Sequence, residues 1–197
     1  MQAVTDIDID VADRDQALVD LQHIPASRLE RGELRKHIVG VYFQSIPVDP
    51  LTGFSSVPYK EAEARGYFKI DLLNLSIYKE VRDEAHLEAL LLQEPLWELL
   101  ESEEVVNQLF HINNHFSIVQ TMKPRSLMQL AMVLAMIRPA KRHLVGKTWE
   151  EVEADIWAPV EGEQYAFKKS HSLSYAAVLL VQMNLLLEQM LALPDGE

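Results

Sequence analysis

Between Thr5 and Val11 the chain alternates acidic and apolar side chains: Asp6, Asp8 and Asp10 interleave with Ile7, Ile9 and Val11. A period of two belongs to the β-strand, so this spacing predicts a strand over 5–11 with the acids on one face and the hydrophobes on the other. Three carboxylates on one face repel one another and push their pKa values up unless a cation lies between them. A hard, oxygen-seeking ion such as Mg²⁺ suits that place. The competing use of such a tract is a solvated acidic segment, and the rest of the chain has to decide between the two.

Of the 197 residues 48% are hydrophobic, enough for one domain with a sizeable core or for two small lobes. With no cysteine, disulfides and thiolate metal sites are excluded. The first residues lack the basic-then-apolar order of an export signal, and a cytoplasmic location is expected. The most apolar stretch, 175–193, is interrupted by Gln182, Asn184, Glu188 and Gln189, so no membrane span is expected. A net charge of −12 argues against general affinity for nucleic acid, but the charge is unevenly spread. Residues 123–147 carry Lys123, Arg125, Arg138, Lys141, Arg142, His143 and Lys147 and no Asp or Glu. Residues 164–187 are also free of acid and carry Lys168, Lys169 and His171. An acidic metal-binding half and a basic half suited to phosphate predict a cleft for a metal-bound polyphosphate.

Periodicity and turn residues give the order of elements. A short helix is predicted over 14–21. A second strand runs through Ile38, Gly40 and Tyr42 to Ile46 and ends in the turn-rich Pro47-Val48-Asp49-Pro50-Leu51-Thr52-Gly53. A third strand is predicted over 66–73, with Lys69 and Asp71 on one side. From Ser76 the period turns helical. Leucines from Leu87 to Leu100, broken at Pro95, predict two helices, and another begins at Val105. Ser126 is placed as the N-cap of a helix over 127–137, Thr148 and Glu151 as a capping box for 149–157, and a last helix over 172–193. Strands first and helices second is an α+β layout.

Taken in order, these blocks resemble the DNA polymerase III alpha subunit, the replicative polymerase of family C. Asp6-Ile7-Asp8-Ile9-Asp10 is similar to its Pro-Asp-x-Asp-x-Asp-Phe motif, and Arg35-Lys36-His37-Ile38-Val39-Gly40-Val41 to its Lys-His-x-Gly-Gly-Val-Val strand. Gly66-Tyr67-Phe68-Lys69-Ile70-Asp71-Leu72-Leu73 resembles Gly-Leu-Val-Lys-x-Asp-Phe-Leu. Leu134-Ala135-Met136-Ile137-Arg138-Pro139 resembles Ala-Leu-x-Arg-Pro, and Tyr165-Ala166-Phe167-Lys168-Lys169-Ser170-His171 resembles Tyr-x-Phe-Asn-Lys-Ser-His.

The resemblance implies a small palm-like nucleotidyltransferase sheet, of the polymerase-beta type, over 1–75, with a helical fingers-like region over 76–197 packed on it. It makes Asp6, Asp8 and Asp71 the catalytic carboxylates and ligands of Mg²⁺ or Mn²⁺. Lys69, Arg138, Lys141, Arg142, Lys169 and His171 become the residues that bind substrate. The implied activity is two-metal transfer of a nucleotide to a primer 3′-hydroxyl, which needs no nucleophilic side chain. Primer-template DNA, deoxynucleoside triphosphates and host or phage replication proteins are the implied partners, and the chain reads as a miniature, phage-encoded polymerase core in the host cytoplasm. Thr5 stands for the motif's Pro, Val11 for Phe, Val39 for the first Gly and Lys168 for Asn, and family members are many times longer. Two other readings compete with this one. The first is a catalytically silent polymerase-derived module that binds nucleic acid or replication proteins. The second is a helical adaptor that docks a partner through Met122, Met128, Met132 and Met136, a spacing used more often for core packing. His111 and His115, four apart on a predicted helix, form half of a zinc site at most, and a polar helix face is the simpler use.

Overall fold

A computed structural model of the chain describes residues 7–160 and 167–192; Thr5, Asp6, Tyr165 and Ala166 of the motifs above lie outside them. The chain divides after Val81 into two compact units, and the α+β layout holds: strands occupy the first unit and helices dominate the second.

The first unit is built on a four-stranded mixed sheet of order β1-β4-β3-β2. β1 is Ile7–Val11, β2 Ile24–Glu30, β3 Glu33–Tyr42 and β4 Ile70–Asn74. β1 runs parallel to β4, and β4–β3 and β3–β2 are antiparallel. Helix α1, Arg14–Leu18, is started by Asp13, whose carboxylate accepts from the Gln16 N–H. Its Leu18 packs with Val41 and Leu72 on one face of the sheet, flanked by Val11 and Ile70. A second cluster of Ala26, Tyr42, Ile46 and Val57 takes in Ala62 of helix α2, Tyr59–Ala64.

Strand β2 was not predicted. Its hairpin with β3 closes on Arg31 and Gly32, both with positive φ (52° and 83°), as a two-residue type I′ turn requires. Toward the far end of the pair β2 advances from Pro25 to Ser27 while β3 runs back from Val41 to Lys36, so β3 carries the surplus residues in a wide bulge over 37–40. The boundary between units falls after Val81 and not at residue 75. The single-turn helix Ser76–Glu80 belongs with the sheet, because Lys79 Nζ reaches Asp13 Oδ2 at 2.8 Å.

In the second unit α6, Leu127–Met136, is buried from Leu130 onward and crosses α8, Lys169–Ala192. Full burial of Leu130 and Leu134 stabilises by about 1.5–3 kcal/mol each. Around this pair lie α3 (Glu84–Leu92), α4 (Glu103–Gln108), α5 (Phe116–Met122) and α7 (Trp149–Asp155). The Ser126 cap and the Thr148–Glu151 capping box form as expected. Met122, Met132 and Met136 are buried in this core, so the methionines do not form an exposed stripe; among them only Met128 is exposed. α8 is long and apolar enough to cross a membrane by length and composition. Within this unit it is a core helix, whose buried Asn184 donates to the Leu90 and Gln93 carbonyls.

Candidate active site

Asp8 on β1 and Asp71 on β4 are direct partners in the parallel register, and Asp71 is in turn opposite Gly40 on β3. Partnered residues on neighbouring strands lie about 4.8 Å apart and project to the same face, so two carboxylates from distant parts of the sequence share one patch of sheet. Asp8 is exposed, whereas the Asp71 side chain is 18% exposed and that of Lys69 15%. The Lys69 ammonium is ion-paired with Asp71 Oδ2. Asp71 Oδ1 is buried and accepts no hydrogen bond. Asp10 lies two residues beyond Asp8 on the same face, and burial, then the Asp8 charge, raises its pKa.

The bulge in β3 supplies the other wall. The Gly40 N–H donates to His37 Nδ1 at 2.9 Å, which places the imidazole proton on Nε2. His37 Nδ1 stands 4.0 Å from Asp71 Oδ1. With Nδ1 already accepting, this approach is a dipolar contact with a neutral ring and not an ion pair. Burial lowers the His37 pKa; the Asp71 charge acts in the opposite direction, and Lys69 and Arg28 add to the lowering. Tyr59, the first residue of α2, meets the His37 ring edge-on at 5.3 Å and lies under the Lys69 ammonium at 5.8 Å. Tyr42 has a buried hydroxyl without a partner, and its pKa is pushed up to about 12 by burial, then by the charges of Asp71 and Glu63.

Gly40 is needed here for space. A Cβ at this position would lie 2.5 Å from Lys69 Cδ, 2.8 Å from His37 Nδ1 and 3.0 Å from Asp71 Oδ1. The backbone of β3 thus comes close enough for the side chains of Lys69, His37 and Asp71 to gather over it.

The donor set can accept a divalent ion. Mg²⁺ takes one or two protein carboxylates and completes its shell with water and phosphate oxygens, and the unsatisfied Oδ1 of Asp71 beside Asp8 offers such donors. Among the described residues no group of three or more His, Asp or Glu is placed to hold a metal; the third predicted ligand, Asp6, lies outside them.

The other predicted cationic residues belong to the second unit and have different fates. Arg138 lies just beyond α6, before the 139–144 turn, with its guanidinium 3.9 Å from the Phe167 ring. Arg142 is exposed and donates to the Ile137 carbonyl at 2.8 Å. Lys169 opens α8 with its ammonium 6.0 Å from the Trp157 ring, and His171, within the first turn of the helix, is partly buried. Lys141 needs correction as a substrate-binding residue. Its side chain is 4% exposed, and the ammonium bonds the Asp155 backbone oxygen at 2.5 Å and Asp155 Oδ1 at 3.0 Å, so its charge is spent on joining the 139–144 turn to α7. His111 and His115 also need correction. They lie in the loop between α4 and α5 and not on a helix, His111 having a left-handed φ of 61°.

Sequence reasoning gave no role to His37, although it stands in a quoted motif, or to Tyr59. A histidine three residues before a strand glycine was the available signal. Compared with protein-family models, with curated proteins and with solved structures, the chain has no match.

Proposed function

We propose that the chain is a template-directed DNA polymerase, a miniature of the family C core that transfers a nucleotide to a primer 3′-hydroxyl. The observation that carries this reading is the register of Asp8 with Asp71, with Lys69 ion-paired to Asp71. Two carboxylates and a lysine at one spot on adjacent strands are what the motif resemblance calls for, and these strands are distant in sequence. Bound divalent ions supply activation of the 3′-hydroxyl and charge neutralisation at the departing pyrophosphate.

The chain's own groups have distinct tasks. Asp8 and Asp71 would hold the ion, together with Asp6 on the resemblance. Lys69, ion-paired with Asp71, is the cation placed to neutralise a phosphate oxygen. His37 stays neutral and keeps Nε2–H as a donor, so it adds no charge beside the carboxylates. Gly40 leaves the space in which these groups meet. Arg138, Arg142, Lys169 and His171 are proposed to contact triphosphate or template backbone.

With an acidic surface and few phosphate contacts, affinity for primer-template is expected to be weak and to fall steeply with salt. Extension by the isolated chain is then slow and distributive, and a host or phage replication protein that tethers it to DNA raises processivity. The test is primer extension by the purified chain with Mg²⁺ or Mn²⁺ and labelled nucleotides, beside Asp8→Asn. Metal-dependent incorporation that the variant lacks supports the reading. No incorporation with either ion, at low salt and with replication proteins added, leaves a silent polymerase-derived module.

A further inference from the structure

The first unit holds a cavity to which the proposed reaction gives no task. Its volume is about 460 Å³, and it is lined by Arg28 and Leu29 of β2 and by Pro58, Tyr59, Lys60 and Glu61 at the start of α2. The path of the chain explains its place. β2 is the last strand of the sheet, Ser27 on it bridges to Pro58 in parallel, and beyond that bridge the chain turns away into α2. Pockets for small molecules measure about 300–1,000 Å³, so this one has room for a single nucleotide unit. It also adjoins the carboxylates. Tyr59 is the shared wall: its ring lines the cavity and meets the His37 ring at 5.3 Å and the Lys69 ammonium at 5.8 Å, and His37 stands 4.0 Å from Asp71. Arg28 approaches from β2 as the register partner of Arg35, two residues before His37 on β3.

The lining combines apolar surface with a donor that lacks an acceptor. Leu29 is 63% exposed, and Pro58 and Tyr59 are only partly buried. Arg28 Nη2 donates to Glu30 at 2.9 Å, yet Arg28 Nε is buried and, among the described residues, has no hydrogen-bond partner. A guanidinium only donates, so Nε–H needs an acceptor, and leaving it without one costs stability. Glu61, the carboxylate in the lining, is ion-paired with Arg65 one turn further along α2. Its charge is engaged there.

We propose that this cavity is a nucleobase subsite: it seats the heterocycle of a nucleotide against Tyr59, Leu29 and Pro58, Arg28 Nε–H donates to an acceptor on the base, and Lys60 offsets the charge of the attached phosphate. A flat heterocycle with acceptors on its edge, as guanine has at O6 and N7, meets both demands of the lining together. A phosphate alone leaves the apolar wall wet, and a purely apolar ligand leaves Arg28 Nε unpaired. The choice of a nucleotide over another aromatic anion rests on the proposed polymerase function. The base belongs either to a free nucleotide or to one unit of a DNA strand, two sources of the same chemistry. Tyr59 and Arg28 thereby become ligand-binding residues beside the carboxylates.

Calorimetric titration of the full chain, without divalent ions, compares deoxyguanosine monophosphate, deoxyribose 5′-phosphate, which lacks the base, and a short single-stranded oligonucleotide of deoxyguanosine. Removing the base is expected to weaken binding about tenfold, the scale of one stacked base. Tyr59→Leu and Arg28→Gln are expected to weaken the monophosphate to the same extent, with melting temperatures checked against the unmodified chain. Lys60→Gln, at an exposed position that spares the fold, is expected to lower affinity about threefold. Titration should also move the Arg28 Nε–H resonance. Variant losses confined to the monophosphate identify a free nucleotide as the occupant, and losses confined to the oligonucleotide identify a strand. Equal affinity for the monophosphate and the base-free phosphate, affinities that none of the three variants changes, or an Arg28 Nε–H resonance that stays in place at saturation overturns the subsite. Primer extension separates this result from the polymerase reading. Base-dependent binding by a chain that extends no primer upholds the subsite and sinks that reading, whereas extension without base-dependent binding keeps the reading and overturns the subsite.

Discussion

Asp71 lies between two strands that use it differently: Asp8 is its partner on the parallel side and Gly40 its partner on the antiparallel side. The first supplies a second carboxylate and the second supplies room. Asp8→Asn and Asp71→Asn are each expected to lower primer extension by several orders of magnitude, with Mg²⁺ or Mn²⁺ binding by calorimetry weakened in parallel. Either variant extending primers at the rate of the unmodified chain removes the carboxylates from the mechanism.

Gly40→Ala tests the space. The added methyl meets Lys69 Cδ, His37 Nδ1 and Asp71 Oδ1 within 3.0 Å, so the ion pair or the imidazole has to move. Overpacking of this kind costs about 1–3 kcal/mol. The urea midpoint should fall and extension should fall with it, while oligonucleotide binding through the second unit stays within twofold.

Lys141→Ala distinguishes a structural cation from a substrate-binding one. Loss of the buried ammonium strips the Asp155 backbone oxygen and carboxylate of their donor and is expected to destabilise by about 1–3 kcal/mol. Affinity for nucleoside triphosphate, measured below the melting range, should not change. A tenfold loss of affinity with an unaltered melting temperature would restore the role expected from the sequence.

His111 carries a pH signature. Its folded pKa of about 4 lies below the ordinary 6.5, so between those values the unfolded chain binds the extra proton and stability drops as pH falls. Urea unfolding at pH 7 and pH 5 should give a lower midpoint at pH 5. His111→Asn, whose side chain tolerates left-handed φ, should reduce that difference. An unchanged difference in the variant assigns the effect to other groups.

How far the sequence told this in advance differs from residue to residue. The alternation around Asp8 and the caps at Ser126 and Thr148 are local signals, set by neighbours within a few positions, and they were legible. The β2–β3 hairpin was missed because Arg31-Gly32 is not the Asn-Gly or Asp-Gly pair that marks a type I′ turn, and because Pro25 weakens a strand reading. The meeting of His37 with Asp71 depends on a bulge and on strand register, which arise from pairing between distant segments. Four-residue spacing suggested a helix for His111 and His115, yet the left-handed residues His111 and Asn114 break it. Burial of Lys141 beside Asp155 is likewise a tertiary outcome, since a basic run reads as solvated until a partner is known.

The parallel pairing of β1 with β4 also sets an order of assembly. A hairpin closed by two residues forms quickly and locally, so β2 and β3 are expected to join first and offer the edge to which β4 adds. β1 was made earliest of the four and is expected to dock last, because its partner is separated from it by the hairpin and by α2 and the loop must close before any contact repays the entropy. Asp8 and Asp71 are therefore strangers throughout most of folding. A cation that required both carboxylates would bind the finished sheet and not its precursors, and would act as a fastener on the final step, raising the stability of the complete unit with the logarithm of its concentration.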